Sequence, residues 1–354
     1  MGSPSGEQTS LDLDLLSRVS NAKGIPGFED EIQELVMEVF DACCDETYRD
    51  RLGNVIGLKR ATLPSAGRSR ALRVALAAHS DEIGMMVKHI SPEGFIRCAP
   101  LGGLHAPSIM SQPVLIFGRQ QVRGVIVPNH SLPDSVPALE DMFIDVGLPV
   151  EEVRRLVEVG DPVTFSQQFT CLNDKVVMGR NFDDRIGTYC LLEVMRRLGE
   201  RAVDVYAVST VQEEMGVRGM PTAAYAIEAD VGVALDGSIV RGPYPNPNDP
   251  TCDMGKGTGV YMMDRLTIGD RQLVRMLLDL AESNQIPVQR NVGGGTDASA
   301  LQRTKMGSLA TTVGAPVKYM HSTVSLCHVD DIDATVDLLS VFLDHAHELS
   351  VSER

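Results

Sequence analysis

The sequence predicts an α/β fold in which a mostly parallel central sheet is flanked by helices and a smaller β-rich unit is inserted. Three observations lead there. Short apolar runs alternate with helical patterns on either side of a middle block. Within that block, "GFIRCAPLGG", "PVLIFGRQQVRGVIV" and "DMFIDVG" are β-type runs punctuated by Gly and Pro. At 354 residues the chain is also too long for one compact core and suits about two domains. The expected division is 1–88 with 172–354 as one domain and 89–171 as the insert.

Taken in order, Leu11, Leu15, Leu16 and Val19 keep the spacing of a helix face. After a break at "GIPGFED", Ile32, Leu35, Val36 and Val39 resume it. "RVALAAH" (73–79) is a short strand that stops at His79. Inside the insert "VEEVRRLVEV" is the one good helix pattern, and "NHSLPDSVPALED" (129–141) is a loop. Beyond it "DRIGTYCLLEVMRRLGE" is a helix, "VDVYAVSTV" and "DVGVAL" are strands, and "RQLVRMLLDLAESNQ" is a helix. "SLATTVG" is another strand and "DIDATVDLLSVFLDHAHEL" a terminal helix. Strands alternating with helices imply a largely parallel sheet covered on both faces.

Composition narrows the function classes. A net charge of −16 argues against nucleic acid and against anionic membranes as partners. With no Trp and 5% aromatics, stacking platforms are scarce. The seven cysteines include no C-x-x-C pair and are odd in number, which reads as free thiols in a reducing compartment. No apolar run approaches the ~20 residues of a membrane span, and the polar "MGSPSGEQTS" has no signal-peptide character. A soluble, cytoplasmic protein is expected.

In open α/β sheets, ligands bind beyond the carboxyl ends of strands. Past the predicted strands stand His79 and Asp81, the pair Glu213 and Glu214, Asp236, and, after "GAPVKYM", His321. Asp183 and Asp184 stand where a helix begins. Singly, each is an ordinary loop acid or helix cap. Together they pile up negative charge that a cation would balance. Imidazole and carboxylate without thiolate suit Zn, Co or Mn. Two histidines and three or more carboxylates exceed one open tetrahedral site and fit two metals sharing a carboxylate. Either glutamate of the adjacent pair could bind metal, leaving its neighbour free as general base toward a metal-bridged hydroxide. Adjacent glutamates point to opposite sides of an extended backbone and so should meet different partners.

"AAHSDEIGMMV", "GRNFDDRIG", "VQEEMGVRG", "ALDGS", "GGGTDASA" and "YMHSTVSLCHVDDID" occur in an order and spacing similar to those of the TET-type metalloaminopeptidases of clan MH. These are the glutamyl, leucyl and deblocking aminopeptidases, once described as endoglucanases. The resemblance runs from about residue 11 to the C-terminus. It implies a phosphorylase/hydrolase-like catalytic domain and an inserted, β-barrel-like dimerisation domain, with dimers building a tetrahedral dodecamer. It also implies two divalent ions per subunit and release of N-terminal residues from short peptides. His79 would ligate one metal, its imidazole held by Asp81, and Asp236 would complete that site. Glu214 and His321 would complete the second, Asp183 would bridge the two, and Glu213 would be the base. Thr296 and Asp297 would contact substrate. The chain departs from the family pattern at "DGS" (236–238) and at Thr323 and Ser325. A metal-dependent deacylase or carboxypeptidase-like hydrolase could use the same centre. A glycosidase built on Glu213 and Glu214 is disfavoured, because adjacent side chains flank a bond poorly.

Overall fold

The computed structural model describes residues 11–65, 67–128, 137–240 and 252–351. The first ten residues and positions 129–136 of the expected loop lie outside the described residues.

Helices α1 (Leu13–Asn21) and α2 (Asp30–Cys43) are separated by Gly27, whose φ of 88° suits a residue without a Cβ. Asp12 caps α1 by accepting the Leu15 N–H at 3.0 Å. Leu15, Leu16 and Val19 are buried, as are Ile32, Val36 and Phe40, whereas Leu35 and Val39 are only partly buried.

The large sheet has eight strands. They are β1 (Glu46–Arg49), β2 (Val55–Lys59), β3 (Leu72–His79), β12 (Val203–Thr210), β13 (Val231–Leu235), β15 (Thr258–Met263), β16 (Val288–Val292) and β17 (Leu309–Gly314). Their spatial order is β1-β2-β12-β3-β13-β17-β15-β16. The centre, β12-β3-β13-β17, is parallel; the joins β1–β2, β2–β12 and β15–β17 are antiparallel. Strand β3 shows why the sheet sits inside. Val74, Leu76 and Ala78 face one apolar core while Ala75 and Ala77 face another. The first core is completed by α1, α2, α5 (Phe182–Arg197), α7 (Arg271–Ser283) and α9 (Val329–His345). On the opposite face the short alanines let α6 (Met220–Ile227) and α8 (Ala298–Arg303) come close.

Strands β4 (Gly84–Ile90), β5 (Ile96–Leu101), β6 (Pro113–Phe117), β7 (Gln121–Pro128), β8 (Met142–Asp145) and β9 (Pro162–Phe165) close a barrel in the order β4-β5-β8-β7-β6-β9. Closure removes the exposed edges that open sheets must protect. The barrel has its own core, centred on Met85, Ile96, Ile116, Ile144 and Val163, with α4 (Val150–Leu156) packed on it. A four-residue turn, α3 (Ala106–Ile109), follows β5. The barrel strands begin at Gly84, ahead of the expected residue 89, because only residues 80–83 separate β3 from β4.

That link is clamped by Glu82, which is 1% exposed. Its carboxylate accepts from Arg180 Nε at 2.7 Å and Nη2 at 2.9 Å, with Arg185 Nη2 3.7 Å away. A small third sheet joins the two parts of the chain. It contains β10 (Thr170–Cys171), β11 (Val176–Gly179), β14 (Ser238–Ile239), β18 (Pro316–Lys318) and β19 (Ser325–His328), ordered β10-β11-β19-β18-β14. Among the described residues no helix is long and apolar enough to cross a membrane.

Candidate metal centre

His79 is the last residue of β3, and β12 runs parallel beside it to Thr210. The chain then leaves the extended conformation at Gln212, whose φ is 56°. The turn that follows is held by one side chain: Asp81 accepts the Glu213 N–H at 2.9 Å on Oδ1 and the Glu214 N–H at 3.0 Å on Oδ2. Both glutamates therefore line the same cleft. The expectation that they point to opposite sides is corrected, since the period-two rule fails once the backbone turns. Asp81 meets His79 chiefly through its main chain: Nδ1 is 3.0 Å from the Asp81 carbonyl oxygen and 3.6 Å from Oδ1.

Asp183 lies in the first turn of α5, and its peptide bond to Asp184 is cis. Ser325 fixes this entry by accepting the Phe182 N–H at 3.2 Å and donating to the Gly179 carbonyl at 3.1 Å. The two Asp183 oxygens face different histidines: Oδ1 is 3.1 Å from His79 Nε2 and Oδ2 is 3.2 Å from His321 Nε2. Asp184 instead turns into the helix, accepting the Gly187 N–H at 3.0 Å. Glu214 Oε1 lies 3.5 Å from His321 Nε2. Asp236, immediately beyond β13, lines the same cleft. His321 reaches across to the barrel side of the molecule, where its Nδ1 is 3.1 Å from the carbonyl oxygen of Gly103, just after β5. Nothing in the sequence pattern announced that contact. A Cβ at Gly103 would stand 2.5 Å from the ring, so only glycine fits.

Electrostatics favour a cation. Burial raises the proton affinity of Glu213, Asp236 and Asp184 well above the carboxylate range, and neighbouring carboxylates add to it. Burial and the Asp183 charge push Glu214 up to about 8. Burial works against the His79 imidazolium, yet Asp183 and Asp81 raise its pKa well above the ordinary value. Hydrogen bonding to Asp183 lifts His321 to about 9 against its burial. Asp183 itself is held low by the two imidazoles although it is buried. Glu214 Oε1 is buried without a hydrogen-bond partner. One donor atom each from His79, Asp183 and Glu214 lies within 4.8 Å of the others. Donors bound at ~2.0–2.1 Å on a tetrahedral cation stand about 3.3 Å apart, so the separations above fit a metal. The donor set, nitrogen and oxygen without sulfur, fits zinc, cobalt or manganese.

The two expected substrate contacts part company. Thr296 lines the cleft, its hydroxyl 2.7 Å from that of Thr312. Asp297 does not line it: the residue is 3% exposed, accepts from Thr210 Oγ1 at 2.5 Å, and burial raises it to about 6. Ser238 and Thr323, at the departures from the family pattern, are buried, and neither lines the cleft. A further buried acid escaped the sequence reading. Glu29 accepts from Gly27 N–H at 2.9 Å and Gln212 N–H at 3.1 Å, bracing the glutamate turn from α2.

The sequence profile of the M42 glutamyl aminopeptidases matches residues 53–338. The lysyl aminopeptidase of Pyrococcus furiosus is 31% identical over 351 residues, spanning 94% of this chain and 97% of its own. Aminopeptidase APDkam598 from the archaeon Desulfurococcus kamchatkensis superposes with a TM-score of 0.90 at 31% identity, covering 96% of this chain and 97% of its own. The Pyrococcus horikoshii TET1 peptidase, which can assemble into a tetrahedron or a large octahedral shell, gives 0.82 at 30% identity, covering 94% and 98%.

Proposed function

The chain belongs to the M42 glutamyl aminopeptidase family, and from that premise we propose that it is a metal-dependent aminopeptidase releasing N-terminal residues from short peptides. One observation carries the reading: His79, Asp183, Glu214 and His321 bring their donor atoms together, with Asp183, Glu214, His321 and Glu213 lining one cleft. His79 and Asp236 would hold one divalent ion, Glu214 and His321 a second, and Asp183 would bridge them. Zinc or cobalt suits this set, with manganese a third choice. When bound, such ions supply Lewis acidity that lowers the pKa of water and polarises a peptide carbonyl.

The chain's own part follows from its geometry. Glu213 accepts a proton from the attacking water on its carboxylate and returns it to the nitrogen of the leaving amine. Asp81 keeps that carboxylate in register with Glu214 by holding both backbone N–H groups. The Gly103 carbonyl accepts a hydrogen bond from Nδ1–H of His321, which would leave the Nε2 lone pair free for an ion held together with Asp183 and Glu214. The negative cleft attracts the substrate's free ammonium group, which supports cleavage at the N-terminus. Assembly through the barrel into dimers and a tetrahedral dodecamer belongs to the same reading, supported by the TET1 likeness. A cytoplasmic location fits a cysteine set that is odd in number and contains no C-x-x-C pair.

The test removes metal with a chelator, restores zinc, cobalt or manganese singly, and assays amino-acid anilides beside their N-acetylated forms. Metal-dependent cleavage of the free-amine anilides alone is expected. Equal cleavage of the blocked series would replace this reading with a deacylase or endopeptidase.

A further inference from the structure

Helix α2 gives way to β1 through two adjacent cysteines, Cys43 and Cys44, whose sulfurs stand 3.9 Å apart. The backbone is pinned on both sides of the second. The Cys44 N–H donates to the Phe40 carbonyl at 2.7 Å and closes the helix, and the Asp45 N–H donates to the Leu58 carbonyl at 2.8 Å and opens β1. Asp45 Oδ2 in turn accepts the Arg60 N–H at 2.7 Å. A Cβ at Gly57 would stand 2.8 Å from the Cys44 sulfur, so a glycine in β2 makes room for it. Both thiols are partly exposed. The hydrogen bond from Cys44 pulls the Cys43 thiol down to about 7 against its burial, and the charges of Lys59 and Arg196 act in the same direction. The fold thus holds two sulfurs at a set separation, in a setting that favours thiolate.

Two outcomes compete for such a pair. A direct disulfide needs its sulfurs about 2.0 Å apart, and its Cα atoms usually stand at least about 4.4 Å apart. Neighbouring Cα atoms across a trans peptide stand about 3.8 Å apart, so that ring would be strained. A bridging ion asks for no such movement. Thiolates held at about 2.3 Å on a tetrahedral ion stand about 3.8 Å apart, which matches the separation of the two sulfurs. Thiolate selects the soft ions zinc and copper(I) over harder cations. The cleft offers nitrogen and oxygen donors instead, and neither cysteine lines it. Gly57 pairs with Ala207 partway along β12, whereas the glutamate turn follows the far end of that strand. We propose that Cys43 and Cys44 form a dithiolate site for a thiophilic metal ion, zinc or copper(I), separate from the cleft. Each sulfur gives up the proton it still carries as it binds, and no oxidation state changes. The two thiolates supply two positions on the ion and solvent supplies the rest. The site does not depend on the aminopeptidase reading.

The experiment titrates cadmium into the reduced full chain and reads the ultraviolet thiolate-to-cadmium charge-transfer band, to which carboxylates and imidazoles contribute nothing. A saturable band is expected, and competition by zinc and by copper(I) then identifies the preferred ion. Cys43→Ser and Cys44→Ser should each weaken this binding about tenfold or more. Cys171→Ser, which removes an exposed thiol elsewhere, should leave it unchanged. Cys44 packs on the core, so a second readout needs no variant. In the wild type, cadmium should protect Cys43 and Cys44 from iodoacetamide, followed on their peptide by mass spectrometry. No band, or a band that survives both substitutions, overturns the site. So does alkylation of Cys43 and Cys44 at a rate that cadmium leaves unchanged. A Cys43–Cys44 disulfide formed under oxidised glutathione, in a chain that shows no band when reduced, would replace the metal site with a redox pair.

Discussion

Each residue at the centre is set by what its neighbours leave it free to do. Glu213 spends its backbone N–H on Asp81 and keeps its carboxylate in the cleft. Glu213→Gln should lower kcat by roughly 10²–10⁴ while metal content stays that of the wild type. Loss of metal with the activity would instead make Glu213 a ligand. Glu29 gives a pH signature. Burial raises its carboxyl from 4.5 to about 7, so the folded chain binds that proton more tightly than the unfolded one. Its contribution is then fully present below about 4.5, declines as pH rises toward about 7, and is flat above. Glu29→Gln keeps an oxygen for the Gly27 and Gln212 N–H groups. It should therefore gain roughly 1–3 kcal/mol over the wild type at pH 8 relative to pH 4.5, read by urea unfolding of the metal-free proteins. That His79, Asp183, Glu214 and His321 gather was legible from their places just past apolar runs and at a helix start. The shared side of Glu213 and Glu214 was not, because it depends on one positive φ at Gln212. Nor was the inward turn of Asp297, which a glycine-rich motif does not encode.

Elements were legible in proportion to their length. Helices α5 and α9 and strands β3 and β12 are long, largely buried runs and stand out in the sequence. Strands β10 and β14 have two residues each and β18 three, too few to show a period, and β14 and β18 pair with each other from distant parts of the chain. Strand β15 contains Gly259, and its pairing with β16 shifts between Tyr261 and Met263, which blurs its alternation. The start of α5 shows how an element carries chemistry. A Cβ on Gly187 would lie 2.3 Å from both Asp184 carboxylate oxygens, so the first turn closes only over glycine. Gly187→Ala should displace the Asp183–Asp184 segment and cost about 1–3 kcal/mol of stability. It should also weaken metal affinity tenfold or more. Thermal melts and competition with a chromogenic chelator would check the two effects separately, and wild-type affinity in the variant would show that Asp183 is positioned from elsewhere.

The whole molecule has separate apolar cores, one in the barrel and others on the two faces of the large sheet. The change from α/β alternation to Gly- and Pro-punctuated strands made the insert visible. Its closure into a barrel came from the family resemblance, since strand pairing across a barrel has no local signature. Sedimentation velocity on the metal-loaded protein should give a mass many times that of one chain; a monomer would contradict the proposed assembly. The barrel also has a stake in the cleft. Gly103, on the far side of β5, supplies the carbonyl that meets His321, a residue encoded more than two hundred positions downstream. A recombination event that exchanged this barrel for one from another lineage would import a foreign carbonyl against a resident histidine. The insert and the His321 loop, remote in the gene, are therefore coupled through this one contact, and a hybrid that breaks it would start with a misaligned ring.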